Sequence, residues 1–218
     1  MRSALEHGCP SPLPRALVAR KLKGMEYMKR ITLAATLLAL AAPVAFAQTS
    51  TWAIDAAHSE VDFTVRHMSV SNIHGRFGGL KGTIVRNQTD PSKSTVSVTI
   101  DLNSVDTGVG PRDTDLKSSN FFDVAQFPTA TFQSTSVSGT ATHLKVNGNL
   151  TLHGITRPVE LDVDGPSATV PGMDHKPHAG YSATTTIDRK DFGIGAKYPN
   201  SVVGDEIKLS IDLEVVEQ

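Results

Sequence analysis

Cysteine is nearly missing from this chain of 218 residues: the only one is Cys9. A disulfide framework, a zinc–thiolate centre and a cysteine nucleophile are therefore excluded for everything that follows it. Aromatic residues are scarce at 6%, so any core must be built mostly from Val, Ile and Leu. Beyond residue 47 no apolar run reaches the ~18 residues that a membrane-spanning helix requires. Positive charge is also short there. Residues 48–218 hold 14 Lys/Arg against 20 Asp/Glu, and an acidic surface does not neutralise phosphates, which argues against nucleic acid as a partner. Nor does the chain contain a Gly-x-Ser-x-Gly elbow, a glycine-rich phosphate loop or a His-Glu-x-x-His pair.

What is present begins with an address. Residues 1–47 carry seven Lys/Arg against two acids. Met28-Lys29-Arg30, the apolar run Ile31–Ala42 and Ala45-Phe46-Ala47 before Gln48 form a basic start, a short apolar stretch and an Ala-x-Ala cleavage site. That is the layout of a secretory signal. No cysteine stands near the cleavage site, so a lipid anchor is not indicated. Residues 1–27, with Pro10, Pro12 and Pro14, fit no part of the layout. The expected organisation is a non-native upstream extension over 1–27, a signal peptide over 28–47 and one domain over 48–218. Met28 is then the true start, Met25 the second choice, and the expected location is periplasmic.

After residue 48 the hydrophobic pattern has a period of two. Val61, Phe63 and Val65 alternate with Asp62, Thr64 and Arg66, and Val96, Val98, Ile100 and Leu102 alternate with Ser97, Thr99 and Asp101. The same holds for Val159, Leu161 and Val163, and for Ile207 through Val215. Each such segment is a strand with one dry and one wet face, as antiparallel sheets have. The pattern predicts strands over 51–55, 59–67, 75–86, 94–102, 129–137, 141–153, 157–165, 179–188 and 205–216. Eight or nine strands, several of them long, suit a closed antiparallel barrel better than a sandwich of roughly 100 residues. Asn147-Gly148 is a hairpin signature, yet a turn there would separate Leu144 and Val146 from Leu150 and Leu152. Parity favours one strand, with Gly148 at a bulge or close approach, and a reversal at His153-Gly154-Ile155-Thr156. Pro111 followed by Arg112–Lys117 predicts a short helix within the long connection 103–128. Residues 166–178 read as a loop.

An eight-stranded barrel is either filled by its own side chains or holds one small ligand, and Val/Ile/Leu linings leave both open. An occupant of such a lining would be apolar. Each buried CH₂ contributes about 0.8 kcal/mol, against an association cost of about 4–15 kcal/mol. A chain of on the order of 15 carbons is therefore needed, which points to lipids.

Other readings are weaker. His175 and His178 are spaced as loop metal ligands but are interrupted by Pro177. His58, His67, His74 and His153 sit at predicted strand ends, where satisfied structural histidines are the commoner outcome. Asp113, Asp115 and Asp123 have no partner base and suit helix-start and turn chemistry. Arg112-Asp113 is either a surface ion pair or a pair that orders the loop over a barrel mouth. Phe121, Phe122 and Phe127 form a local apolar plug more naturally than a clamp. No catalytic set emerges.

Taken in order, the motifs resemble those of the YceI-like family of secreted, lipocalin-like proteins. They run from Trp52-x-Ile54-Asp55-x-x-His58-Ser59 through Val61-x-Phe63, Arg66-His67 and Gly75-x-Phe77. Ile100-Asp101, Ser104-Val105-Asp106-Thr107, Arg112-Asp113-x-x-Leu116, Phe121-Phe122-Asp123 and Pro128-x-x-x-Phe132 follow. Gly148-x-Leu150-Thr151-x-x-Gly154-x-Thr156-x-x-Val159, Arg189-x-Asp191-Phe192-Gly193 and Gly204-Asp205-Glu206 complete the set. The resemblance implies an antiparallel barrel whose tunnel binds polyisoprenoid or other long-chain lipids, a periplasmic location and, for some members, homodimers. It implies no cofactor, no metal and no catalytic residues.

On this reading the protein is a non-enzymatic lipid carrier. Phe63, Val65, Phe77, Val98, Ile100 and Phe132 are the tunnel-lining candidates from the first half of the barrel. Val146, Leu150, Leu161, Ile207, Leu209 and Ile211 are those from the second. Phe121, Phe122 and Phe192 are candidates for its mouth. The alternatives are a lipid-modifying enzyme using His58 or His153, and a stress-protective protein with a filled core.

Overall fold

Alternation of apolar and polar residues organises the chain into eleven strands, seen in a computed structural model that describes residues 49–218. The expected extension, signal peptide and cleavage site over 1–47 lie outside the described residues. In chain order the strands are β1 (Thr49–Ile54), β2 (Glu60–His67), β3 (Ser71–Phe77), β4 (Lys81–Asn87) and β5 (Thr95–Asp101). A helix, α1 (Gly110–Lys117), precedes β6 (Thr129–Gly139), β7 (His143–Leu152) and β8 (Ile155–Asp164). The two-residue β9 (Val170–Pro171), β10 (Pro177–Asp188) and β11 (Val203–Glu217) complete the set.

All the pairings are antiparallel, and eight strands close into a barrel in the order β11-β1-β4-β5-β6-β7-β8-β10 and back to β11. Closure leaves the barrel strands without free edges except along the seam between β8 and β10. β2 and β3 continue β1 and β4 as a hairpin laid along the first part of β11, pairing Leu209 with Phe63 and Lys208 with Thr64. The single strand expected over 75–86 is therefore two. It breaks at Gly78-Gly79-Leu80, where Gly79 has φ +66°, a conformation glycine adopts without steric cost. β1 and β2 are separated in the same way by a turn at Asp55, whose carboxylate accepts the Ala57 N–H at 2.9 Å.

The Asn147-Gly148 pair lies inside β7, as parity required, and the reversal falls at His153-Gly154, both with positive φ. That is the backbone a two-residue hairpin loop needs. The irregularity in the ladder sits on the partner strand instead, where the register shifts between Ser134 and Ser136 of β6. Residues 166–178 are not wholly loop, since β9 pairs with Pro177 and His178 of β10.

β8 and β10 pair only from Asp162 to Asp164. Where they part, the segment after β10 covers the gap. Arg157 Nε donates to the Asp191 carbonyl at 3.2 Å and His153 Nδ1 to the Phe192 carbonyl at 3.1 Å. This segment is gathered by Arg189, 2% exposed. Its guanidinium donates to the carbonyls of Ile194, Gly195, Tyr198, Val203 and Gly204 and to Asp205 Oδ1, all at 2.7–3.0 Å. The charge is thus buried with its donors satisfied and one acid beside it, the condition under which a buried arginine is tolerated.

Candidate functional site

The inner faces of β4, β5, β6, β7, β8, β10 and β11 enclose a chamber of about 280 Å³. Strand periodicity alone puts Val96, Val98 and Ile100 on one wall, Leu144, Val146 and Leu150 on another, and Leu209, Ile211 and Leu213 on a third. Many of these inward residues on β5 and β11 are half-buried rather than buried, although the chain surrounds them. The surface they keep faces the chamber. The barrel is therefore not filled by its own side chains.

A second chamber of about 120 Å³ lies toward the end that carries α1 and the β2–β3 hairpin. It shares Val61, Ile100, Leu150 and Leu209 with the first, so the two abut. Its far side is aromatic. Phe63 and Phe77 rings lie 5.4 Å apart, Phe122 meets Phe77 edge-on at 5.4 Å, and Phe121 stacks on Tyr198 at 5.2 Å. The opposite end of the main chamber is polar, formed by Arg86, the connection 87–94, the β6–β7 turn with Thr140, and Tyr181. Burial pushes the Tyr181 phenol above its ordinary range, with Arg86 acting in the opposite direction.

The structure sorts the tunnel candidates between the two chambers. Val98, Ile100, Phe132, Val146, Leu150, Leu161, Leu209 and Ile211 line the first, and Phe63, Val65, Phe77 and Ile207 line the second. Of the mouth candidates, Phe121 and Phe122 line the second chamber. Phe192 lines neither. It is 1% exposed and its carbonyl accepts from His153 Nδ1, so it is a packed core residue rather than a rim of either chamber. Leu144, Val159 and Leu213 were not among the candidates, although they share the parity of those that were, and β10, from which Ala183 lines the chamber, supplied none. Arg86 was missed as well. It stands two residues after the inward Ile84, a polar residue on an otherwise apolar face.

The histidines take no part in either chamber. On the outer face, His58 Nδ1 donates to Asp55 at 2.8 Å, and the His178 ring bridges Glu214 at 2.7 Å and Asp174 at 3.0 Å. These contacts hold both histidines above the usual imidazole range: Asp55 for His58, and Glu214 then Asp174 for His178. Asp55, His58 and Glu214 stand close enough to offer three ligand atoms to one cation, and each of the three side chains is also engaged in these contacts. His74 hydrogen-bonds Thr64, and His153 lies against Phe127 and the Phe192 carbonyl. Arg112 and Asp113 do not form an ion pair. Both bind Thr107, Arg112 through its hydroxyl and carbonyl oxygens and Asp113 by accepting its N–H and O–H, which orders the loop before α1. Asp115 and Asp123 accept from Asn120 and Gln126 in turns.

Fold and chamber together define a closed antiparallel barrel of eight strands built around an apolar interior space. The family model described as "YceI-like domain" matches residues 52–215, and the chain belongs to that family. It is 38% identical to Protein YceI of Salmonella newport (strain SL254), covering 88% of this chain and 100% of that protein. Protein YceI of Salmonella arizonae is 37% identical over the same shares. Among solved structures it is similar to the Campylobacter jejuni YCEI protein, with a TM-score of 0.63 and 27% identity over 68% of this chain and 87% of that one. A polyisoprenoid binding domain from Saccharophagus degradans shares the fold, with a TM-score of 0.58 and 22% identity over 77% of this chain and 98% of that one.

Proposed function

We propose that this protein sequesters a long-chain lipid, an isoprenoid or a fatty chain, inside the barrel and carries it without chemical change. The observation that supports this most is the main chamber itself, an apolar space aligned with a second one and ending in a polar rim. Its volume lies close to the lower end of the ~300–1,000 Å³ common for ligand sites, and its walls offer an alkyl chain dispersion and desolvation along its length. A neighbour in fold is described as a polyisoprenoid binding domain, which agrees with the ligand class. Catalysis has no comparable support, because the histidines considered for it, His58 and His153, line neither chamber.

The location belongs to the same proposal. The layout over 28–47 directs export to the periplasm with cleavage after Ala47, leaving a mature chain that starts at Gln48. N-terminal sequencing of protein recovered from the periplasm tests it, and a precursor that carries residues upstream of Met25 would dispose of the reading of 1–27 as a non-native extension.

Native mass spectrometry and organic extraction of the exported protein test the cargo. A long-chain lipid is expected to travel with it. Repeated recovery of lipid-free protein that also takes up no quinone or prenol would overturn the carrier reading.

A further inference from the structure

One charged side chain lines the main chamber, and it is a cation. Arg86 shares the inner face of β4 with Ile84, and its cross-strand neighbour on β1 is Ser50. No acid lies among the lining residues. Asp90, in the same rim, accepts from Ser92 and pairs with Lys93 at 3.2 Å. The arginine and lysine ion pairs among the described residues are made by Arg76, Lys93, Lys145, Arg189 and Lys190. Arginine side-chain hydrogen bonds come from Arg66, Arg76, Arg112, Arg157 and Arg189. Arg86 belongs to neither group. Arg86 is half-buried, and without a side-chain partner among the described residues its guanidinium keeps donors for an occupant. Its planar fork of donors matches a carboxylate or a phosphate.

The opposite end offers nothing similar. Arg189 borders the second chamber, but its donors are spent on five carbonyls and Asp205. The interior is therefore polarised along its length, with a cation unpaired among the described residues and the hydroxyls of Thr89 and Thr140 at one end and phenylalanines at the other.

Resting on the lipid-binding reading, we propose that the occupant is an anionic amphiphile, a phosphate or carboxylate on a long apolar chain. The head group sits on Arg86 at the rim, and the tail runs toward Phe122. Arg86 thereby sets both which lipids are preferred and which way they lie.

The test is displacement of diphenylhexatriene, a neutral apolar probe, from the lipid-stripped protein. Competitors share one chain length: hexadecyl phosphate, palmitate and hexadecanol, each below its aggregation threshold, with inorganic phosphate alone as a fourth. Charge-assisted hydrogen bonds predict that the two anions outcompete the alcohol by about tenfold or more. Arg86→Met should erase that gap, while Arg86→Lys should retain part of it. Equal competition by all three chains in the unaltered protein, or a gap that survives Arg86→Met, overturns the head-group assignment and leaves lipid binding standing. Displacement by inorganic phosphate alone also overturns it, since the site would then be one for a free anion. Failure of the probe and of every chain to enter removes the lipid-binding reading and this inference together.

Discussion

The ring of Phe132 on β6 lies over the backbone of Gly148 on β7, so closely that a Cβ at Gly148 would stand 2.3 Å from its Cζ. Phe63 and Gly75 repeat the arrangement on β2 and β3, with the same 2.3 Å approach. In each pair an aromatic ring covers a position that has no side chain of its own, and the ring lines a chamber. Gly148→Ala is expected to destabilise the barrel by about 1–3 kcal/mol, as overpacking does. Urea unfolding measures this. Adding Phe132→Leu should recover part of the loss, so that the double variant is less destabilised than the two single changes would sum to. Strict additivity would mean that the ring and the glycine are not coupled.

Filling the chamber should abolish uptake without unfolding the protein. Ala183 lines the main chamber midway along β10. Ala183→Phe is expected to occupy the space that an alkyl chain would take, reducing lipid uptake at least about tenfold. Circular dichroism should still report the barrel. Undiminished uptake by a folded variant would place the ligand elsewhere.

Removal of the buried guanidinium should be far costlier than loss of a surface charge. Arg189→Met leaves five carbonyls and Asp205 without their donor, and deleting one partner of a buried charged network costs on the order of 3–5 kcal/mol. Limited proteolysis should show the first new cuts between Ile194 and Val203, the segment that Arg189 gathers. Cleavage that begins elsewhere would assign the ordering of this segment to other contacts.

His178 makes the attachment of residues 166–177 depend on pH. Its pKa is raised above 6.5 by Glu214 and Asp174. The interaction is thus fully present below about pH 6.5 and fades as pH rises through the raised value. Asp174 is lowered from 3.8, by the Lys176 N–H and then by His178, so its share is present above about pH 3.8 and fades as pH falls through the lowered value. Protease sensitivity of the segment should be least between these limits and rise on either side of them, and His178→Ala should remove the alkaline limb. A flat profile in the unaltered protein would contradict this.

Much of the barrel is legible in one dimension because a strand turns each side chain through half a revolution. Parity was enough to keep β7 whole across Asn147-Gly148 and to mark Val98, Leu150 and Ile211 as inward. The break at Gly78–Leu80 is marked only by a change of phase, from inward Phe77 to inward Leu80 and Ile84, across two glycines that carry no side chain to show it. Nor could parity place Phe192, because an aromatic residue in a loop carries no period. Arg86 escaped for a related reason: on a face otherwise greasy it looked like noise.

The sequence by itself determined the class of fold and the inner and outer faces of each strand, since both follow from local periodicity. Whether the inside is hollow, that Arg86 stands at one end of it and phenylalanines at the other, and that Arg112 and Asp113 meet on Thr107 depended on the tertiary fold. These depend on how walls from distant parts of the chain fit together, and volume left over between surfaces is a property of no single segment.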